Sequence, residues 1–196
     1  MCCASGWFKR ALILAALING PPVAAQSEQR YTPTLRRPQT GHEIVLIFIS
    51  SSQALENENP RFDEMVRTIK RRLAAKATAA DTSFCAIGVS LDWSPDVGAE
   101  FLLRGKSRFG VHDFDPWDEI HVGRNWLNEL IIRYVWRDHV GPAGISQMVV
   151  VERTINSGQR GITIGPDKVL FRALGPEAME SWLNAGLPLP ESAYLK

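Results

Sequence analysis

Glu43-Ile44-Val45-Leu46-Ile47-Phe48-Ile49-Ser50 is followed by the polar stretch Ser51-Ser52-Gln53-Ala54-Leu55-Glu56-Asn57-Glu58-Asn59, and then by an amphipathic run from Pro60 to about Lys76. The first segment is apolar at nearly every position, which suits a strand covered on both faces. Asn59 is placed to cap a helix, and Pro60 fits its first position, where no backbone donor is missed. Phe62, Met65, Val66, Ile69 and Leu73 recur at helical spacing, while Arg61, Arg67, Lys70, Arg71 and Lys76 are expected largely on the surface. The unit reads as a strand, a polar corner and a helix packed on a sheet.

Working outward, Ser83 to Leu91 is a second continuous apolar run, so a strand–helix–strand unit with a right-handed crossover follows. A short helix is expected from Asp96 to Arg104, then a mixed loop from Phe109 to Val122, then a helix from Arg124 to His139 with Leu127, Leu130, Ile131 and Tyr134 on its apolar stripe. Ile145 to Arg153 reads as a strand, Asn156-Ser157-Gly158 as a turn, and Gly161 to Leu174 as one or two further strands of a hairpin. Gly175-Pro176-Glu177 opens a last helix carrying Met179, Trp182 and Leu183, which Gly186 is placed to end. The fold class is α/β with a mixed central sheet.

The first 25 residues stand apart. Lys9-Arg10, the apolar run Ala11 to Ile18 and then Val23-Ala24-Ala25 follow the order of a secretory signal, with cleavage expected after Ala25. The apolar run is far short of the ~20 residues of a spanning helix, so no stable membrane anchor is expected after cleavage, and the location is read as periplasmic or secreted. Residues 26–42 are polar with Pro33 and Pro38 and read as an extended lead-in of low order. Of the three cysteines, Cys2 and Cys3 leave with the signal, so Cys85 has no intramolecular partner. Loss of Lys9 and Arg10 from 22 basic groups, against 21 acidic ones, leaves the mature chain near neutrality. That gives no global reason to expect nucleic acid as a partner.

A β-α-β half followed, through helices, by a β-β-α half resembles the thioredoxin-like superfamily, a three-layer sandwich, over residues 43–186; residues 187–196 form a tail. Ile44 to Ile49 is similar to the family's first central strand. Gly144-Ile145-Ser146-Gln147 and the apolar run after it are similar to the strand that begins Gly-Ile-Pro-Thr in many members. The resemblance implies a Cys-x-x-Cys at the mouth of the first helix, where backbone donors and the helix dipole favour a thiolate. Here Ser50 to Asn59 contains no cysteine, Ser52 or Gln53 takes the first sulfur's place, and Ser146 stands where the family has a cis-proline. The scaffold is thus expected without its redox dithiol, and Cys85, in mid-strand, is expected to be buried and inert.

His112, Asp113, Asp115, Asp118, Glu119 and His121 match no zinc or calcium spacing and read as a solvated acidic loop. Ser50-Ser51-Ser52 lacks the Gly-x-Ser-x-Gly frame of a nucleophile elbow. Trp126 and Trp182 fall in helical stripes and read as core. Trp93 follows a strand end, and ligands of open α/β sheets bind beyond the carboxyl ends of the strands. Ser51, Ser52, Gln53, Trp93 and Ser146 are therefore the expected binding face, with Asp92 beside it. Free backbone donors there would suit an extended peptide or an anionic group. The expected role is binding or scaffolding of a protein or peptide, with no cofactor. The alternatives are a thiol-dependent oxidoreductase that uses a partner's cysteine, and a structural subunit of an envelope complex.

Overall fold

The computed structural model describes residues 31–33, 40–104, 115–123, 128–137, 146–158 and 161–190. Its centre is β1 (Gly41–Ser50), buried from Glu43 onward because neighbours flank it on both sides and helices cover both faces. β1 runs parallel to β2 (Ser83–Ser90), with Glu43 opposite Ser83 and Ser50 opposite Ser90. It runs antiparallel to β4 (Gln147–Gly158), with Ile49 opposite Gln147 and Gly41 opposite Ile155. The strand order is β3-β2-β1-β4-β5, where β3 is Glu119–Val122 and β5 is Gly161–Ile164, and β6 (Lys168–Leu174) also pairs with β4. The result is a mixed α/β fold on one six-stranded mixed sheet.

α1 (Pro60–Ala79) begins as its sequence dictates, with the Asn59 side chain accepting from the Arg61 amide and Pro60 in the first turn. Its Phe62, Val66, Ile69 and Leu73 meet Ile44, Leu46 and Phe48 of β1 and Met148 and Val150 of β4. α4 (Gly175–Asn184) adds Met179 and Trp182 to the same face, the Trp182 ring stacking on Phe171 at 4.1 Å. On the opposite face Val45, Ile47, Ile49, Cys85, Ile87 and Val89 are covered by Ile131, Tyr134 and Val135. Those three come from α3 (Glu129–Ile131) and the π-helical turns Ile132–Arg137 that continue it.

Several expectations are corrected. The expected 109–122 loop ends in β3, which pairs parallel with β2 from Ile87–Glu119 to Ser90–Val122. The α-helix expected over 124–139 is, in its described part, one α-turn followed by π-helix, and residues 124–127 and 138–145 lie outside the described residues. β4 runs on through the expected turn at Asn156-Ser157-Gly158. The expected signal, most of the lead-in, the tail beyond residue 190, Trp126, His112 and Asp113 also lie outside the described residues.

The expected solvated acidic loop is corrected at Asp115, which is buried in a cluster that also takes in Tyr31. Lys70, expected on the surface, is 1% exposed and donates to the Asp115 carbonyl at 2.7 Å and the Pro116 carbonyl at 2.9 Å. Its ammonium lies 3.2 Å from Asp115 Oδ2 and 4.2 Å from the centre of the Trp117 ring. Tyr31 closes the cluster: its amide donates to Asp115 Oδ1 at 3.2 Å, its hydroxyl donates to Asp118, and its ring meets Phe84 edge-on. Burial, opposed by the Asp115 carboxylate, pushes Lys70 down to about 8.

Candidate functional site

β1 ends at Ser50, and the parallel ladder is carried one step further by the Leu91 amide, which donates to the Ser50 carbonyl at 2.8 Å. The next residues turn sharply, with the Ala54 amide on the Ser51 carbonyl at 3.0 Å, into a 3-10 turn over Leu55–Glu58 that delivers the chain to α1. That turn reaches back. Asn57, buried, donates from Nδ2 to the Ser51 carbonyl at 2.6 Å and to Ser50 Oγ at 3.0 Å. Ser50 Oγ in turn lies 2.6 Å from Ser146 Oγ, so the first residue before β4 is tied to the last residue of β1.

A second centre is Asp92, just past β2. Its carboxylate accepts from Ser51 Oγ at 2.9 Å, from the Ser52 amide at 2.9 Å, from Ser52 Oγ at 2.8 Å and from Ser90 Oγ at 2.6 Å. Burial alone would raise this carboxyl, but the donors from Ser90, Ser52 and Ser51 outweigh it and hold it below the ordinary aspartate range. Glu56 behaves the same way: burial raises it, the donors of Ser146 lower it, and the net direction is down. α2 (Pro95–Arg104) closes on this corner at Gly98, where an added Cβ would stand 2.6 Å from Ser90 Oγ.

The structure brings Ser51 and Ser52 together around Asp92 and places Ser146 beside Ser50. Gln53 is exposed, with its amide on Ser51 Oγ at 3.3 Å. Trp93, next to Asp92, is 79% exposed, and Leu55, three residues past Ser52, is 81% exposed. The backbone donors, however, are not free. Ser52 N is taken by Asp92, Ala54 N by the Ser51 carbonyl, and Ser146 N by Glu56 Oε1 at 2.8 Å. At these three amides the expected anion or peptide-backbone cradle is thus occupied from within, by the Asp92 and Glu56 carboxylates and the Ser51 carbonyl.

Chemically, the network joins hydroxyls, an amide and two carboxylates held ionised, so it fixes the serines in place and leaves them no strong base at neutral pH. Cys85 is remote from it, paired with Val45 lower in the sheet. Burial, followed by the charges of Glu43, Asp118 and Glu119, pushes its thiol well up. Among the described residues no group of three or more His, Cys, Asp or Glu side chains is placed to hold a metal ion. Also among them, no helix is long and apolar enough to cross a membrane.

Ser90, Glu56 and Asn57 belong to the network but were not singled out in the sequence, and Ser50 entered only as a rejected nucleophile elbow. Strand-end serines carry a local signal, since a hydroxyl at the end of an apolar strand needs a partner. Asn57 carries none, because its reach depends on the 3-10 turn. No protein-family model, no curated protein and no solved structure matches the chain.

Proposed function

We propose that the chain is an exported, thioredoxin-like binding domain that works without a redox dithiol, and that its partner, a protein or peptide, docks over the corner where β1 and β2 end. The β1–α1–β2 parallel unit and the β4–β6–α4 antiparallel unit, joined in one sheet, support the fold reading. The observation that carries the functional reading is the pairing of a closed polar network, in which Ser51 and Ser52 are hydrogen-bonded to Asp92, with an exposed Trp93 beside it; in the resemblance, Ser52 or Gln53 takes the place of the first sulfur. The order of residues 1–25 supports export.

A photo-crosslinking amino acid placed at position 93, with position 103 on the exposed side of α2 as the control, tests the docking face in extracts of the native cell. A discrete adduct from position 93 alone is the expected outcome. Equal adducts from both positions, or none from 93, would overturn it. In parallel, the purified protein is expected to leave insulin disulfides unreduced; turnover that disappears in Cys85→Ser would establish the thiol enzyme instead.

A further inference from the structure

Residues 26–42 contain a single Phe, Tyr or Trp, and that residue, Tyr31, is buried. Its contacts join three elements. The ring meets Phe84 of β2 edge-on at 5.8 Å and lies 5.1 Å from the Lys70 ammonium of α1, while the amide and hydroxyl go to Asp115 and Asp118, ahead of β3. Asp118 is the pivotal partner. Its Oδ2 takes the Tyr31 hydroxyl and also the Ala86 amide at 2.6 Å, and its own amide donates to the Ala86 carbonyl at 2.9 Å. Asp118 thus starts the parallel pairing that β2 and β3 continue from Ile87 and Glu119, and Tyr31 holds the carboxylate that starts it.

β3 depends on such support. It is four residues long, none of them buried, and among the described residues it pairs with β2 alone, which puts it at the low end of local stability. Its far end reaches the strand-end corner: Val122 pairs with Ser90, whose hydroxyl donates to Asp92. α2 is packed tightly against the same strands. An added Cβ at Gly98 would stand 2.6 Å from Ser90 Oγ and 3.4 Å from Val122, and one at Gly88 would stand 3.0 Å from Leu102 of α2 and 3.1 Å from the Trp117 ring. Contacts this close leave β3 and α2 little space to shift independently of each other.

We infer that Tyr31 is a latch set from the N-terminal side of the domain. Docked, it holds residues 115–118, β3 and α2 against β2 and so keeps the Ser90–Asp92 network closed. Withdrawn, by trimming of the chain past Tyr31 or by a pull on the segment that carries it, it lets that flank open as a unit while β1 and β4 stay paired. The N-terminal segment is then a control element for the corner, whatever docks there.

Amide hydrogen exchange of the full mature chain, read residue by residue by nuclear magnetic resonance in wild type, Tyr31→Phe and Tyr31→Ala, tests the latch. Tyr31→Phe removes the hydroxyl and keeps the ring, so it separates the latch from loss of packing. It is expected to speed exchange about tenfold at Ala86, Asp118 and the β3 amides, and about threefold at the Ser52 and Gly98 amides of the corner, with Val149 and Val150 of β4 unchanged. Tyr31→Ala is expected to show the same pattern about tenfold more strongly. Acceleration confined to Ala86 and Asp118 would overturn the inference, because the hydroxyl would then act only on its own hydrogen bonds. Equal acceleration at every amide, or none at any, would overturn it as well.

Discussion

At the strand-end corner Asp92 is held by three serine side chains and one backbone amide; at the flank of the same sheet Asp115 is held by a buried lysine, with the Tyr31 amide on its other oxygen. Both carboxylates are buried. The first keeps its charge and is stabilised by the hydrogen-bond dipoles of short, local serine side chains, which do not titrate near neutral pH. The second is neutralised by an ion that had to be desolvated itself, and the aromatic rings of Trp117 and Tyr31 sit against that ion. The corner can therefore leave Trp93 and Leu55 in solvent without disturbing its own hydrogen bonds, whereas the flank is sealed. A polar cluster made of hydroxyls is compatible with an open surface; one built on a buried ammonium is not.

The comparison is tested hardest at Lys70. Lys70→Met leaves the Asp115 and Pro116 carbonyls without their donor and removes the ammonium paired with the Asp115 carboxylate, which keeps the Tyr31 amide and the Arg71 guanidinium, and is expected to cost about 3 kcal/mol or more in urea unfolding at pH 7. A variant as stable as the wild type would break the contrast. Its pH dependence sharpens it. Below about pH 8 Lys70 is charged in both folded and unfolded chains and the burial penalty is fully present; between about 8 and 10.5 only the unfolded chain keeps the proton. Stability is thus expected to rise over that window, by about 3 kcal/mol at most, and the rise should vanish in Lys70→Met.

Asp92→Ala comes next. It strands the Ser51, Ser52 and Ser90 donors, and a loss of about 2 kcal/mol is expected, with Asp92→Asn losing less. Because the folded carboxyl is held below its unfolded value of 3.8, this contribution is complete above that pH and is lost as pH falls beneath it. An acid-unfolding curve unchanged in Asp92→Asn would show that the network contributes nothing ionic. Gly98→Ala, which drives a methyl into Ser90, should cost about 1–3 kcal/mol and weaken the corner through α2. The smallest change in stability is expected for Trp93→Ala, within about 0.5 kcal/mol, measured by the same unfolding curves. A large loss there would mean that the indole props up the corner instead of facing a partner.

Much of the frame was legible from residues. β1, α1 and β2 declared themselves through an unbroken apolar run, a helical stripe with its Asn59 cap, and a second apolar run, and each lies within a few residues of where the pattern puts it. β3 did not, because Glu119-Ile120-His121-Val122 is a short edge strand whose outer residues need no burial. The π-helical geometry of Ile132–Arg137 has no periodicity of its own to betray it. At the site, Asp92 beside Ser51 and Ser52 followed from topology, but the occupation of the backbone donors did not. That depends on Glu56 and Asn57 folding back, a tertiary fact. Lys70 was misread although its spacing was informative: it lies four residues after Val66 and three before Leu73, inside the apolar stripe.

The pairing of β1 with β4 joins residues about a hundred positions apart, and it runs along the most buried of the described strands. During synthesis β1, α1 and β2 leave the ribosome long before Gln147–Ile155 is made. One whole edge of the central strand, apolar on both faces, must then wait unpaired. Chain closure over that distance makes slow folding the expected behaviour, with the first ninety or so residues dependent on a late strand for their order. A nascent or truncated chain that stops before β4 is accordingly expected to sediment as aggregate, and the time it spends in that state sets how strongly it needs a holding chaperone.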